Sequence, residues 1–193
     1  MKNARTLLAI ATLGLSTAVF AAPVGGSNVY MYGDIGQSRY DADDATARLG
    51  PGASSDETDF AGSVGAGYQF SPNFALEAGY LNLGKMTANR GVNSSEYSAQ
   101  GIAFQAVGTV PLNDRFGLYG TAGLNPLYVK SSYNGVSDNE WRVAPSLGLG
   151  VNFKVNEAVG LRAGYTRYFN AVDNRGVKSD ADLMSVGMTY AFK

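Results

Sequence analysis

The chain has 193 residues, the length of a single domain, and its 15 basic and 16 acidic side chains nearly cancel. This balance gives no sign of a nucleic-acid partner. The chain has no cysteine and no histidine, which excludes disulfides and removes the side chains that transition metals and most enzymes with an activated nucleophile use. We therefore expect neither enzymatic activity nor a cofactor, and no metal centre.

The first residues have the pattern of an export signal. Lys2 and Arg5 precede an uncharged, mostly apolar run that ends in small residues. We predict a signal peptide over 1–21 with cleavage after Ala21, followed by one domain over 22–193. Cleavage one residue later and a retained membrane anchor are the alternatives, although the run is short for an anchor.

The end of the chain alternates large apolar and small side chains. One face carries Met184, Val186, Met188, Tyr190 and Phe192, and the other carries Ser185, Gly187, Thr189 and Ala191. A strand that is apolar on one face and small or polar on the other suits a barrel with lipid outside and a hydrophilic interior. No segment after the first 22 residues approaches the run of about 18 apolar residues that a membrane helix needs.

Three similar turn segments recur about 42 residues apart, starting near residues 71, 112 and 155. Each joins two alternating strands, and an opening and a closing strand bring the total to eight. We predict an all-β fold, an eight-stranded antiparallel up-and-down transmembrane β-barrel. Pro126 lies inside the predicted fifth strand, where its missing N–H group predicts a bulge.

Four longer polar connections are predicted at about 41–58, 85–95, 131–139 and 170–180. Short turns at one end and long loops at the other are typical of the periplasmic and extracellular ends of a bacterial barrel. The first connection is acidic, and its acids are candidates for cation attraction or for bridging to lipopolysaccharide; the alternative is an ordinary solvated loop. These candidate residues are Asp41, Asp43, Asp44, Asp56 and Glu57.

Charged side chains are also predicted inside the barrel. Glu77, Tyr119 and Arg162 occupy the same place in the three repeated segments, so we expect them at one height and facing inward. Asp34 faces inward by alternation. Because an eight-stranded barrel is just wide enough for its side chains to fill, Glu77 and Arg162 are predicted to meet as an ion pair. Such a pair is either a structural plug or a gate for ions.

Residues 60–84, which read FAGSVGAGYQFSPNFALEAGYLNLG, resemble the second hairpin of the OmpA transmembrane domain. Residues 35–40, 97–101 and 143–145 and the closing strand are similar to that family too. The resemblance covers essentially the whole mature chain. It implies a β-barrel of the bacterial outer membrane.

Two departures from the OmpA pattern bear on function. The resemblance implies two acids and two bases in the lumen that exchange partners; Glu77 and Arg162 match one of each, but the other two positions hold Val107 and Asn152. A swap of ion pairs is therefore not expected. OmpA-type proteins often continue into a peptidoglycan-binding domain, which we do not expect in this chain because it ends one residue after Phe192.

We therefore expect a small monomeric barrel of the outer membrane with a structural or surface-exposed role. Its expected partners are outer-membrane lipids and lipopolysaccharide, and the barrel assembly machinery, which would recognise the C-terminal strand. An adhesin or host-factor binder acting through the loops, above all 41–58, is one alternative. A narrow pore of low conductance is another.

Overall fold

Alternating apolar and small residues along the chain form eight long antiparallel strands. The computed structural model describes residues 28–40, 54–56, 58–90, 93–133, 136–174 and 177–192. The strands are β1 Val29–Tyr40, β2 Thr58–Ser71, β3 Phe74–Arg90, β4 Asn93–Pro111, β5 Phe116–Tyr133, β6 Val136–Lys154, β7 Val159–Asn174 and β8 Val177–Ala191. A further three-residue segment, Ser54–Asp56, pairs with the outer part of β3. Within the described residues no helix is long and apolar enough to cross a membrane.

Each strand pairs with its neighbours in sequence, and β1 pairs with β8, so the sheet closes on itself. Following the paired residues once around the barrel from Arg39 of β1 leads back to Val29, ten residues along the same strand. Such a stagger is what tilts the strands of a closed barrel. The predicted eight-stranded up-and-down barrel is confirmed.

The outer wall is apolar, as the alternation predicts. On β8 the side chains of Met184, Val186, Met188 and Tyr190 are 46–68% exposed, whereas Leu183 on the opposite face is 4% exposed. Aromatic rings gather at the end where short turns connect the strands, which we call the turn end. The contacting pairs there are Tyr68–Phe70, Phe70–Phe74, Phe116–Phe153 and Tyr190–Phe192, with ring centroids 4.8–6.0 Å apart. This band suits a membrane interface.

The strands extend further at the opposite end, which we call the outer end, than the sequence predicts. The predicted loops over 85–95, 131–139 and 170–180 are wrong for most of their length: β3 continues to Arg90, and β4 begins at Asn93 with regular pairing between them. The polar sequence of these segments does not prevent pairing, because the ladder hydrogen bonds join backbone groups.

The predicted bulge at Pro126 is also wrong. Pro126 pairs with Val143 in regular register on the β6 side, and the register toward β4 is the same before and after it. Irregularities lie instead between Gln69 and Ser71, between Asn82 and Lys85, and between Tyr168 and Val172. Proline is tolerated because the ladder toward β4 is interrupted over only two residue pairs, without an inserted residue.

The bulge in β3 is stabilised by polar contacts. Gly84 has φ +76°, a conformation that favours glycine, and its N–H donates to Asn82 Oδ1 at 2.9 Å. The next N–H, of Lys85, donates to Asp59 Oδ2 of β2 at 2.6 Å. A carboxylate on the neighbouring strand thus replaces a ladder hydrogen bond that the bulge removes.

The interior has an apolar core at the outer end, which corrects the expectation of a hydrophilic interior throughout. We call this set the apolar layer: Tyr40, Ala61, Leu81, Leu83, Ala99, Ala103, Leu127, Val129, Ala144, Tyr168, Ala171, Ala181 and Leu183, none more than 5% exposed. Small residues alternate around it with the leucine side chains, so the narrow barrel is packed to contact. The alternation identifies which residues face inward but not whether that half of the interior is wet or dry.

Candidate functional site

Three charged side chains meet near the middle of the lumen. Asp34 comes from β1, Glu77 from β3 and Arg162 from β7, each on the inward face of its strand. Asp34 is 8% exposed and Glu77 is 3% exposed. We call these residues the ion triad.

Arg162 binds both acids at once. Its Nε donates to Asp34 Oδ1 at 2.6 Å, and its Nη2 donates to Asp34 Oδ2, which makes this pair bidentate. Its Nη1 donates to Glu77 Oε1 at 2.7 Å. Glu77 and Arg162 thus meet inside the barrel, and Asp34 contacts the same guanidinium.

Neutral side chains donate further hydrogen bonds to both carboxylates, two of them to oxygens that also accept from Arg162. The Tyr30 hydroxyl donates to Glu77 Oε1 at 2.7 Å, and Gln105 Nε2 donates to Glu77 Oε2 at 2.6 Å. The Ser63 hydroxyl donates to Asp34 Oδ2 at 3.0 Å. Buried carboxylates need such donors because each unmet lone pair has lost its contact with water.

These three donors are not among the residues singled out from the sequence. Tyr30 shares the inward face of β1 with Asp34, so alternation alone makes it a candidate. Ser63 pairs with Asp34, and Gln105 pairs with Glu77, across neighbouring strands. Finding them requires the register between strands, which the sequence pattern does not supply.

The triad has two acidic groups and one basic group. The guanidinium also lies over the ring of Tyr32, with its Cζ 4.6 Å from the centroid. Removing charges from water costs several kcal/mol for each ion, and the bidentate geometry and the extra donors offset that cost. The arrangement therefore favours a fixed guanidinium, held on two sides by carboxylates and on a third by an aromatic ring.

Tyr119 lies beside the triad but is not part of its hydrogen-bond network. Its ring packs against the backbone of Gly150 and Gly164 on the next two strands. Tyr119 lines a cavity together with Glu77 and Arg162. It thus faces inward, as the repeat predicts, and contributes shape to the lumen.

The cavity has a volume of about 200 Å³ and lies between the triad and the turn end. Polar side chains such as Gln69, Thr109 and Asn152 line it, as do Pro72 and Ala158 of the turns. A space of this size holds several water molecules. The turn-end half of the lumen is therefore hydrophilic.

The apolar layer lies on the other side of the triad. On the inward face of β3, Leu81 and Leu83 lie closer to the outer end than Glu77 does. On β8, which runs the other way, Leu183 lies closer to the outer end than Gly187 does. Between the ion triad and the apolar layer, Asn125 Nδ2 donates to the Ala144 carbonyl at 2.8 Å and to the Ser146 hydroxyl at 2.9 Å. The lumen thus consists of a hydrophilic cavity, an ion triad and an apolar layer in series.

Most of the acids predicted as a loop site cannot be related to this geometry. Asp41, Asp43, Asp44 and Glu57 lie outside the described residues, and only the backbone of Asp56 is described. Among the described residues, no group of three or more acidic, histidine or cysteine side chains is arranged to hold a metal ion.

The comparisons with known proteins agree with the barrel fold. The family model for the OmpA-like transmembrane domain matches residues 26–193. The chain belongs to this family. It is an OmpA-like β-barrel of the bacterial outer membrane, a relationship that fits a structural or surface role in the envelope.

Curated relatives include outer membrane protein A of Salmonella typhi, 27% identical over 199 residues, and that of Yersinia pseudotuberculosis, 26% identical over 201 residues. Both alignments cover 100% of this chain but 56% of the relative, so the chain spans little more than half the length of these proteins. These relatives are outer-membrane proteins and not enzymes.

Solved structures show the same fold at low sequence identity. Neisserial surface protein A has a TM-score of 0.63 at 17% identity, with 86% of this chain and 98% of that chain covered. The N-terminal β-barrel domain of Pseudomonas aeruginosa OprF has a TM-score of 0.54 at 15% identity, with 87% of this chain and 100% of that chain covered. These similarities support the fold alone.

Proposed function

We propose that this protein is a structural barrel of the outer membrane whose lumen is closed to ions. It is exported by a signal peptide over 1–21, assembled by the barrel assembly machinery through its C-terminal strand, and works as a monomer. Its partners are the surrounding lipids and lipopolysaccharide. It performs no catalysis, which accords with a chain that has no histidine or cysteine to serve as a base or nucleophile.

The observation that carries the proposal is the apolar layer. Leu81, Leu83 and Leu127 have no exposed surface, and they contact side chains from the other strands inside the barrel. An ion that crossed this layer would lose its hydration among mostly apolar side chains, with only buried tyrosine hydroxyls as polar groups, which costs many kcal/mol. The layer therefore blocks conduction independently of the ion triad.

The triad supports a plug and not a gate. Opening by exchange of partners requires a second base to take over a carboxylate when Arg162 leaves it. The two positions at which the OmpA resemblance implies the other acid and base hold Val107, 8% exposed, and Asn152. Arg162 moreover binds two carboxylates, so loss of one contact leaves it held by the other.

The test is the variant Arg162→Ala. It leaves Asp34 and Glu77 buried without a counter-charge, so we expect the free energy of unfolding to fall by about 3–5 kcal/mol. We expect planar-bilayer recordings to show almost no steady current for the wild type, and no increase for the variant while it stays folded, because the apolar layer remains. Lys130→Ala, exposed on the outward face of β5 and away from the lumen, is the matched control and should match the wild type in both measurements.

The opposite outcome is well defined. If Arg162→Ala unfolds at the wild-type temperature and passes a steady current, the triad is a gate and the proposal fails. Heat-dependent gel migration, in which a folded barrel resists detergent and shifts on boiling, checks that each variant is folded before recording.

A further inference from the structure

A cluster of charged side chains lies on the outward face of three adjacent strands at the outer end. We call it the outer-edge cluster: Arg39 of β1, Tyr165 and Arg167 of β7, and Asp180 and Asp182 of β8. Asp182 is central, because it pairs with Arg39 on one side and with Arg167 on the other. The cluster is separate from the lumen, since these side chains face away from it.

The cluster begins where the apolar band ends. Met184 lies directly below Asp182 on the outer wall and is 68% exposed; below Arg39 the outward residues are Gln37 and then Ile35, which is 57% exposed. Asp182 lies ten residues before Phe192, which belongs to the aromatic band at the turn end. A tilted strand of about 9–11 residues spans the hydrocarbon of a membrane, so the cluster lies at the level of lipid headgroups.

The guanidinium of Arg167 lies beside two carboxylates, with its buried Nε at ion-pair distance from both but in no hydrogen bond. Arg167 Nε lies 3.3 Å from Asp180 Oδ2 and 3.5 Å from Asp182 Oδ1. Each acid has a second contact: the N–H of Asn170 donates to Asp180 Oδ1 at 2.9 Å, and the Tyr165 hydroxyl donates to Asp182 Oδ1 at 2.6 Å. The carboxylates are thus engaged with donors on β7.

The terminal nitrogens of Arg167 donate no hydrogen bond to the residues that the structure describes. The side chain is 39% exposed, so these two amino groups face the surroundings of the barrel. Two parallel N–H bonds from one guanidinium match two oxygens of a phosphate group, a geometry that a lysine cannot offer. An exposed fork of this kind, next to two carboxylates that limit where the side chain can lie, suits a phosphate ligand.

We propose that Arg167 binds a phosphate group of an outer-leaflet lipid, whose acyl chains lie along Ile35 and Met184. The exposed Arg39 supplies a second positive charge across Asp182. Because the two acids balance the two arginines, binding depends on directed hydrogen bonds and not on a general positive field. This inference does not rest on the closed lumen, so either proposal can fail without the other.

The experiment compares two lipids on the full-length folded protein in detergent micelles. The probes are lipid A with both phosphates and the same lipid with its phosphates removed, and native mass spectrometry measures the fraction bound. We expect the phosphorylated lipid to bind more tightly, and Arg167→Gln to weaken its binding about tenfold, as loss of one charge-assisted pair predicts. Arg167→Lys keeps the charge without the fork and should recover only part of the affinity.

Lys130→Gln is the matched control. Lys130 is an exposed cation on the outward face of β5, 5.7 Å from the ring of Tyr128, on a different part of the wall. Its loss should leave binding unchanged. Equal weakening by Lys130→Gln, equal binding of the two lipids, or unchanged binding in Arg167→Gln would each overturn the proposal, as would inorganic phosphate that competes as well as the lipid does.

Discussion

Gly187 and Asp34 pair across β8 and β1, and the carboxylate of Asp34 occupies the space that a side chain at position 187 would need. A Cβ atom on Gly187 would also lie 2.5 Å from the carbonyl oxygen of Gly33, which belongs to the backbone and cannot turn away. The glycine therefore decides where Asp34 lies, and through it one side of Arg162.

We predict that Gly187→Ala lowers the free energy of unfolding by about 1–3 kcal/mol, because Asp34 must move off Arg162 or the strands must separate. Gly33→Ala is the control on the paired strand, since a Cβ there meets nothing within 4 Å. Thermal unfolding in detergent compares the two variants. Equal unfolding temperatures for both would show that Gly187 has no such packing role.

The charged residues of the lumen could be predicted from the sequence because strand alternation and the repeated segments place them on inward faces. Their hydrogen-bond and ion-pair partners could not be predicted in this way. That Asp34 shares Arg162 with Glu77, and that Gln105 completes Glu77, depends on which residue of one strand faces which residue of the next. Side-chain periodicity carries no information on that register until the turns and the closure are known.

At the scale of strands, the interior of β5 divides into two chemical environments. Thr121 and Asn125 face the polar middle of the lumen, whereas Leu127 and Val129 belong to the apolar layer. The sequence predicts the positions of the strands and the outward face well, because lipid requires every second residue to be apolar. It predicts the outer ends of the hairpins poorly, since polar residues there pair as strands without a membrane to impose a pattern.

We predict that Leu127→Ala destabilises the barrel by about 2–5 kcal/mol, because it opens a cavity in a packed layer. Leu124→Ala on the same strand is the matched control: this leucine faces outward, 59% exposed, and lipid can fill the space it leaves. We expect a clearly smaller loss for Leu124→Ala in urea unfolding of the protein in vesicles. A loss for Leu124→Ala as large as that for Leu127→Ala would mean that the apolar layer contributes no packing of its own.

At the scale of the whole molecule, the barrel combines a lipid-facing wall with a lumen that changes character along its axis. The cavity at the turn end is hydrophilic, the ion triad fixes the middle, and the apolar layer closes the outer end. The family and the eight-stranded fold are predictable from sequence. The closed outer end cannot be predicted from the sequence. A leucine on an inward face indicates only that its side chain fills the barrel, and the contacts across the lumen that form a closed layer are visible only in the structure.

Thiol labelling from each side of the membrane tests the closed lumen most directly. Because the chain has no native cysteine, only the introduced thiol can react. Thr189→Cys places a thiol in the hydrophilic cavity, and Ser38→Cys places one in the fully buried zone of the outer half. In vesicles of one orientation, a small charged methanethiosulfonate should modify Thr189→Cys from the turn end alone and leave folded Ser38→Cys unmodified. Modification of Thr189→Cys at similar rates from both sides would contradict the account.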